Sequence, residues 1–166
     1  MSQLEPDVLT SSGSIQADTL PSVARRVAVL YEPGRAGSAA LDRARRLVEE
    51  DGSALTVVTL APQGTRLCCG AVSAIDFNQA VCEAAGDELR EARGLLGPVG
   101  NRAVYKVLVQ DRDPPLATWI AAGDFDLVLL PARRRPLRRM KHPDGDRLRR
   151  ASGAEVLIVR PASGHR

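Results

Sequence analysis

Apolar and polar positions along this chain follow two rhythms, and the switches between them mark its elements. Val27-Ala28-Val29-Leu30-Tyr31 is an unbroken apolar run that stops at Pro33-Gly34. A run of that length bounded by turn residues predicts a strand buried on both faces. Leu41, Ala44, Leu47 and Val48 then recur at spacings of three and four, which predicts an amphipathic helix with Ser38 as its N-cap and Gly52 just past its end. Ala54 to Leu60 reads as a second strand, rich in β-branched residues and ended by Pro62. The helical spacing returns with Phe77, Val81, Ala84, Ala85, Leu89, Ala92 and Leu96 and stops at Gly97-Pro98.

Val104 to Val109 is the third predicted strand. Asp113-Pro114-Pro115 reads as a helix start with Asp113 as cap, leading into a short helix over Leu116 to Ala122 that closes at Gly123. Phe125 to Leu130 and Glu155 to Arg160 are the fourth and fifth strands. Strands alternating with helices of this length call for parallel pairing through right-handed crossovers, hence a doubly wound, Rossmann-like α/β sandwich. Ligands of such sheets bind outside the carboxyl ends of the strands, near the switch in strand order. The loops over residues 31–37, 61–73, 110–114 and 131–146 are the ones to inspect.

Composition adjusts this picture in a few places. A chain of 166 residues suits one domain, expected over residues 25–161, with a mobile tail over 1–24 and a short one over 162–166. Aromatic residues make up 3%, so Val, Leu and Ala must fill the core, as in parallel sheets covered on both faces. No apolar run approaches the roughly 20 residues of a membrane helix, and the first two dozen residues hold no Lys or Arg, unlike a secretory signal. The expectation is a cytoplasmic protein with no membrane contact. Cys68, Cys69 and Cys82 are read as reduced thiols, and with only His142 and His165 to join them their spacing matches no zinc pattern, so no metal site is expected.

The formal charge of +3 conceals a strong asymmetry. Residues 1–24 carry Glu5, Asp7 and Asp18 and no basic group. Residues 133–150 carry eight arginines and Lys141 against Asp144 and Asp146. Three uses of this basic segment stay open: a solvated crossover whose Arg stems cover apolar surface, an anion-holding site, or a docking surface for acidic partners or nucleic acid. Against nucleic acid, the segment has no aromatic residue on which a base would stack.

Three stretches in order, Arg26 to Leu60, Asp113 to Leu130 and Ala154 to Pro161, make the chain resemble the universal stress protein family. The resemblance implies a Rossmann-like three-layer sandwich with a five-stranded parallel sheet of order 3-2-1-4-5, and homodimers paired through the last strand (155–160). It also implies a site for ATP or AMP, built from an Asp at the end of the first strand and a glycine-rich stretch after the fourth, where bare backbone amides approach phosphate. In this chain Leu30 aligns with that Asp, with Glu32 two residues on in an apparently lengthened loop. The first glycine pair corresponds to Pro131 and Arg134, and Pro131 has no backbone donor. Downstream, Pro143-Asp144-Gly145-Asp146 sets two carboxylates where a Gly and a hydroxylic residue belong.

The sequence is therefore read as a non-catalytic, stress-linked regulatory protein without a resident cofactor, its conventional ATP site lost. A second reading keeps an adenine nucleotide or another anion on Glu32, Arg133, Arg134 and Arg138. No catalytic residues are expected: no serine has a paired base at a recognisable spacing, and there is no G-x-S-x-G elbow.

Overall fold

Val27, Val29 and Tyr31 face one side of the first strand, Ala28 and Leu30 face the other, and all five are buried. Alternate side chains of a strand point to opposite faces, so a strand buried on both needs helices above and below it. The computed structural model describes residues 24–62, 74–110, 112–132 and 145–162 and has that arrangement. Its elements are β1 (Arg26–Leu30), α1 (Arg35–Asp51), β2 (Ala54–Ala61), α2 (Ala74–Leu96), a 3-10 turn (Gly97–Asn101), β3 (Val104–Val109), α3 (Leu116–Ala122), β4 (Leu127–Pro131), α4 (Gly145–Ser152) and β5 (Glu155–Val159). The residues expected in tails, other than Ala24 and Ala162, lie outside those described.

The five strands form one parallel sheet of order β3-β2-β1-β4-β5. β1 is central, with Val29 beside Val57 of β2 on one flank and Leu129 of β4 on the other, so the strand order switches between β1 and β4. On one face α1 and α2 close a core around Val27, Val29, Tyr31, Leu41, Leu89 and Leu129. On the opposite face α3 and α4 cover Ala28, Leu30, Val128 and Leu130 with Ile120 and Leu148. Each fully buried aliphatic side chain contributes about 1.5–3 kcal/mol, and these two layers outweigh any single cap or turn.

Two caps differ from the sequence expectation. α1 begins at Arg35, with Gly34 at its N-cap position and no side-chain cap. Gly34 has φ 117°, in the region that favours glycine, and this sharp turn starts the helix ahead of Ser38. The Ser38 hydroxyl instead donates to the Gly34 carbonyl at 3.2 Å. Asp113 does not cap α3 either: Pro115 occupies that position. The Asp113 carboxylate accepts the Val109 backbone N–H at 2.7 Å, while its own N–H donates back to the Val109 carbonyl at 2.9 Å. Gly52 does close α1 as expected, at φ 68° with its N–H on the Val48 carbonyl.

Candidate functional site

The carboxyl ends of β1 and β4 flank the switch in strand order, and their last residues decide what lies over that edge. Sheet bonding runs one residue past β1, because the Tyr31 N–H donates to the Val58 carbonyl at 2.8 Å. Leu30 is buried in the α3/α4 layer and does not face the edge. Only Glu32, Pro33 and Gly34 separate Tyr31 from α1. Glu32 is therefore the first side chain beyond the sheet. A carboxylate does stand at the end of the first strand.

Gly37 fixes that turn. A β-carbon there would overlap the Glu32 carbonyl oxygen and lie 2.9 Å from its carbonyl carbon, so the first turn of α1 rests directly on the Glu32 backbone. No sequence pattern singles out Gly37. The only signal is a glycine in the opening turn of a helix, where it lowers helix propensity without visible cause.

At β4 the strand includes Pro131, paired with Val159 of β5. The next amide, Ala132, donates to the Val159 carbonyl at 2.8 Å. Successive N–H groups of a strand point to opposite flanks, so the Pro131 nitrogen points toward β1, at the first bonding position past the last β1–β4 pair. With no N–H to give, Pro131 ends the β1–β4 ladder, whose last pair is Val29 and Leu129, while its pairing with β5 continues. The consequence for ligands is direct: residue 131 has no N–H and that of residue 132 is engaged. The N-terminal turn of α4 carries Asp146, whose charge satisfies the positive helix end and opposes an incoming anion. Arg133, Arg134 and Arg138, and with them Asp144 and His142, lie outside the described residues.

The α1/α2 side of the same edge holds a polar group that sequence reading did not anticipate. Tyr31 is fully buried, its hydroxyl facing the Glu91 and Glu88 carboxylates of α2. Burial first, then the Glu91 carboxylate and then Glu88, push its pKa up to about 12. Thr59, also buried, donates its hydroxyl to Glu88 Oε2 at 2.7 Å. Cys82 is half-buried against the small apolar cluster of Ala61, Ala85 and Val109, the setting of a packed thiol; Cys68 and Cys69 lie outside the described residues. Among the described residues there is no group of three or more His, Cys, Asp or Glu placed to hold a metal, and no helix long and apolar enough to cross a membrane.

A parallel five-stranded sheet with its switch point at β1 and β4 and helices on both faces defines a Rossmann-like α/β domain. Its particular version is the universal stress protein fold. A universal stress family protein from Burkholderia pseudomallei matches with a TM-score of 0.60 at 17% identity, over 86% of this chain and 97% of that one. A universal stress protein from Lactobacillus plantarum matches at 0.58 and 14%, over 83% and 99%. A universal stress protein solved in complex with cAMP matches at 0.54 and 18%, over 84% and 99%. No protein-family model and no curated protein matches the chain. At these identities the likeness is one of fold.

Proposed function

We propose that this chain is a non-catalytic binding protein of the universal stress type, regulatory in role and cytoplasmic, in which conventional ATP binding has been lost. The observation that carries this reading is at the end of β4. Phosphate held by main chain needs unengaged N–H groups in a concave run, whereas Pro131 has none and the Ala132 N–H is bonded to Val159. The non-catalytic part rests on the sequence, which pairs no nucleophile with a base. Calorimetric titration with ATP and magnesium is expected to give no binding at sub-millimolar affinity; tight binding would overturn the reading.

Glu32 supports a second reading, because it is the first side chain past β1 at the switch point. Glu32 would accept hydroxyl donors from a sugar, and Arg133, Arg134 and Arg138 would neutralise phosphate as side chains in place of the missing amides. One structural neighbour was solved with cAMP, a ligand with a single phosphate. On this reading AMP or cAMP raises the melting temperature of the wild type, and Arg133→Ala/Arg134→Ala abolishes the rise. No rise in the wild type would end it.

A homodimer through β5 completes the proposal. β5 is an edge strand on which Leu157 is 40% and Ile158 56% exposed. An apolar edge of this kind is covered when a second copy adds its own β5.

A further inference from the structure

The outward main chain of β5 is not all on offer to a second copy. The Glu155 N–H donates to the Asp126 carbonyl at 2.9 Å, and the Val159 carbonyl accepts the Ala132 N–H at 2.8 Å. Residues 155, 157 and 159 therefore bond β4, because the N–H and C=O of one strand residue share a flank and successive residues alternate. Val156 and Ile158 turn theirs the other way, to the side of β5 that has no neighbouring strand.

Sheet edges are commonly blunted by a charged side chain on the edge strand. The other edge strand, β3, has Lys106 exposed in its middle. Between its ends β5 has only Val156, Leu157, Ile158 and Val159, with no charge. A cation reaches this edge from the neighbouring helix instead. Arg149 of α4 donates from Nη2 to the Val156 carbonyl at 3.3 Å, and that carbonyl is one of those pointing outward.

A short turn fixes this reach. Only Gly153 and Ala154 separate α4 from β5. Gly153, at φ 71°, donates its N–H to the Arg149 carbonyl at 3.0 Å. The Ser152 hydroxyl bonds the Leu148 carbonyl at 2.8 Å and accepts the Ala154 N–H at 3.3 Å. Leu148, next to Arg149, is buried in the α3/α4 layer. The backbone under Arg149 is thus held in place, while its side chain is exposed and has Nη1 4.0 Å from Asp146.

We propose that Arg149 guards the β5 edge, so that a second copy gains the Val156 carbonyl only by displacing the guanidinium. This rests on the homodimer through β5 and names what restrains it. An antiparallel partner centred on Leu157 or on Ile158 uses the outward groups of Val156, so both registers meet the guard. A foreign strand that buries little offers nothing to offset the lost bond. A second β5 does, because it brings its own exposed Leu157 and Ile158. The arginine thereby discourages indiscriminate edge pairing and leaves the matched pair reversible.

Sedimentation over a concentration series tests this on the wild type, Arg149→Met and Leu157→Glu/Ile158→Glu. Methionine keeps an aliphatic stem and has no N–H to donate, and the exposed position makes the substitution safe for the fold. One hydrogen bond changes an equilibrium constant roughly two- to tenfold, and a two-fold interface has two guards. Arg149→Met is therefore expected to lower the dimer dissociation constant about tenfold. The gain should persist at about 1 M salt, where charges act over only about 3 Å. A gain that vanishes in salt means simple repulsion between copies and overturns the guard. A dissociation constant unchanged or raised by Arg149→Met, with the glutamate variant monomeric, overturns the guard and leaves the interface standing. If no chain associates, the interface and the guard fall together.

Discussion

The Thr59 hydroxyl on β2 donates to the Glu88 carboxylate on α2 across 2.7 Å, tying the sheet to a helix by a charge-assisted bond in a half-buried setting. Hydrogen bonds to charged groups contribute about 1.5–3 kcal/mol, and a carboxylate stripped of its donor bears the full desolvation cost. Thr59→Val keeps the shape and removes the donor. It is expected to destabilise by about 1–3 kcal/mol in urea denaturation, and the loss should shrink when Glu88 is also replaced by Gln.

Tyr31 makes stability fall in alkali. Its folded pKa, about 12, lies above the ordinary 10.0, so the folded state holds the phenolic proton more tightly than the unfolded chain. The resulting stabilisation is complete below pH 10 and is lost as pH rises through about 12. Two pH units correspond to roughly 2–3 kcal/mol. Chemical denaturation across this window should show the decline, and Tyr31→Phe should flatten it.

Three helical glycines separate space from propensity. Around Gly86 and Gly94 a β-carbon would meet nothing within 4 Å, whereas at Gly37 it would overlap the Glu32 backbone. Gly86→Ala and Gly94→Ala are expected to stabilise by about 0.5–1 kcal/mol. Gly37→Ala should destabilise by about 1–3 kcal/mol, the usual cost of overpacking. Melting curves of the three variants decide the comparison.

Dimerisation rests on β5. Antiparallel addition of a second β5 brings Leu157 and Ile158 of both copies under cover, on opposite faces of the extended sheet. Leu157→Glu/Ile158→Glu should give a monomer in sedimentation with an unchanged helix signal. A wild type that sediments as a monomer would refute the interface.

The scaffold was readable because aliphatic runs and three-four spacings record burial directly. Strands β2, β3 and β5 lie within one residue of their sequence-expected bounds, and Gly52 ends α1 as expected. Caps were not readable from residue type alone. Ser38 and Asp113 have the right chemistry, but the Gly34 turn and the double proline at 114 and 115 move the helix starts elsewhere. Pro131 lies one residue past the sequence-expected fourth strand, yet it belongs to β4 through its pairing with Val159, and its missing N–H ends only the ladder to β1. The sheet bond at Tyr31, one residue past β1, has no mark in the sequence either, and it makes Glu32 the first side chain beyond the sheet. The buried Tyr31 hydroxyl and its two glutamates had no linear signature, because 57 residues separate Tyr31 from Glu88.

Among the described helices, α2 with its net negative charge and α4 with its net positive charge lie on opposite faces of one sheet, so together they contribute an electric moment across it. A two-fold that adds β5 to β5 antiparallel must stand perpendicular to the sheet and keep each face on its own side. The contributions of these helices in two copies would then point the same way, so a pair joined through β5 would carry both α2 helices on one broad face and both α4 helices on the other.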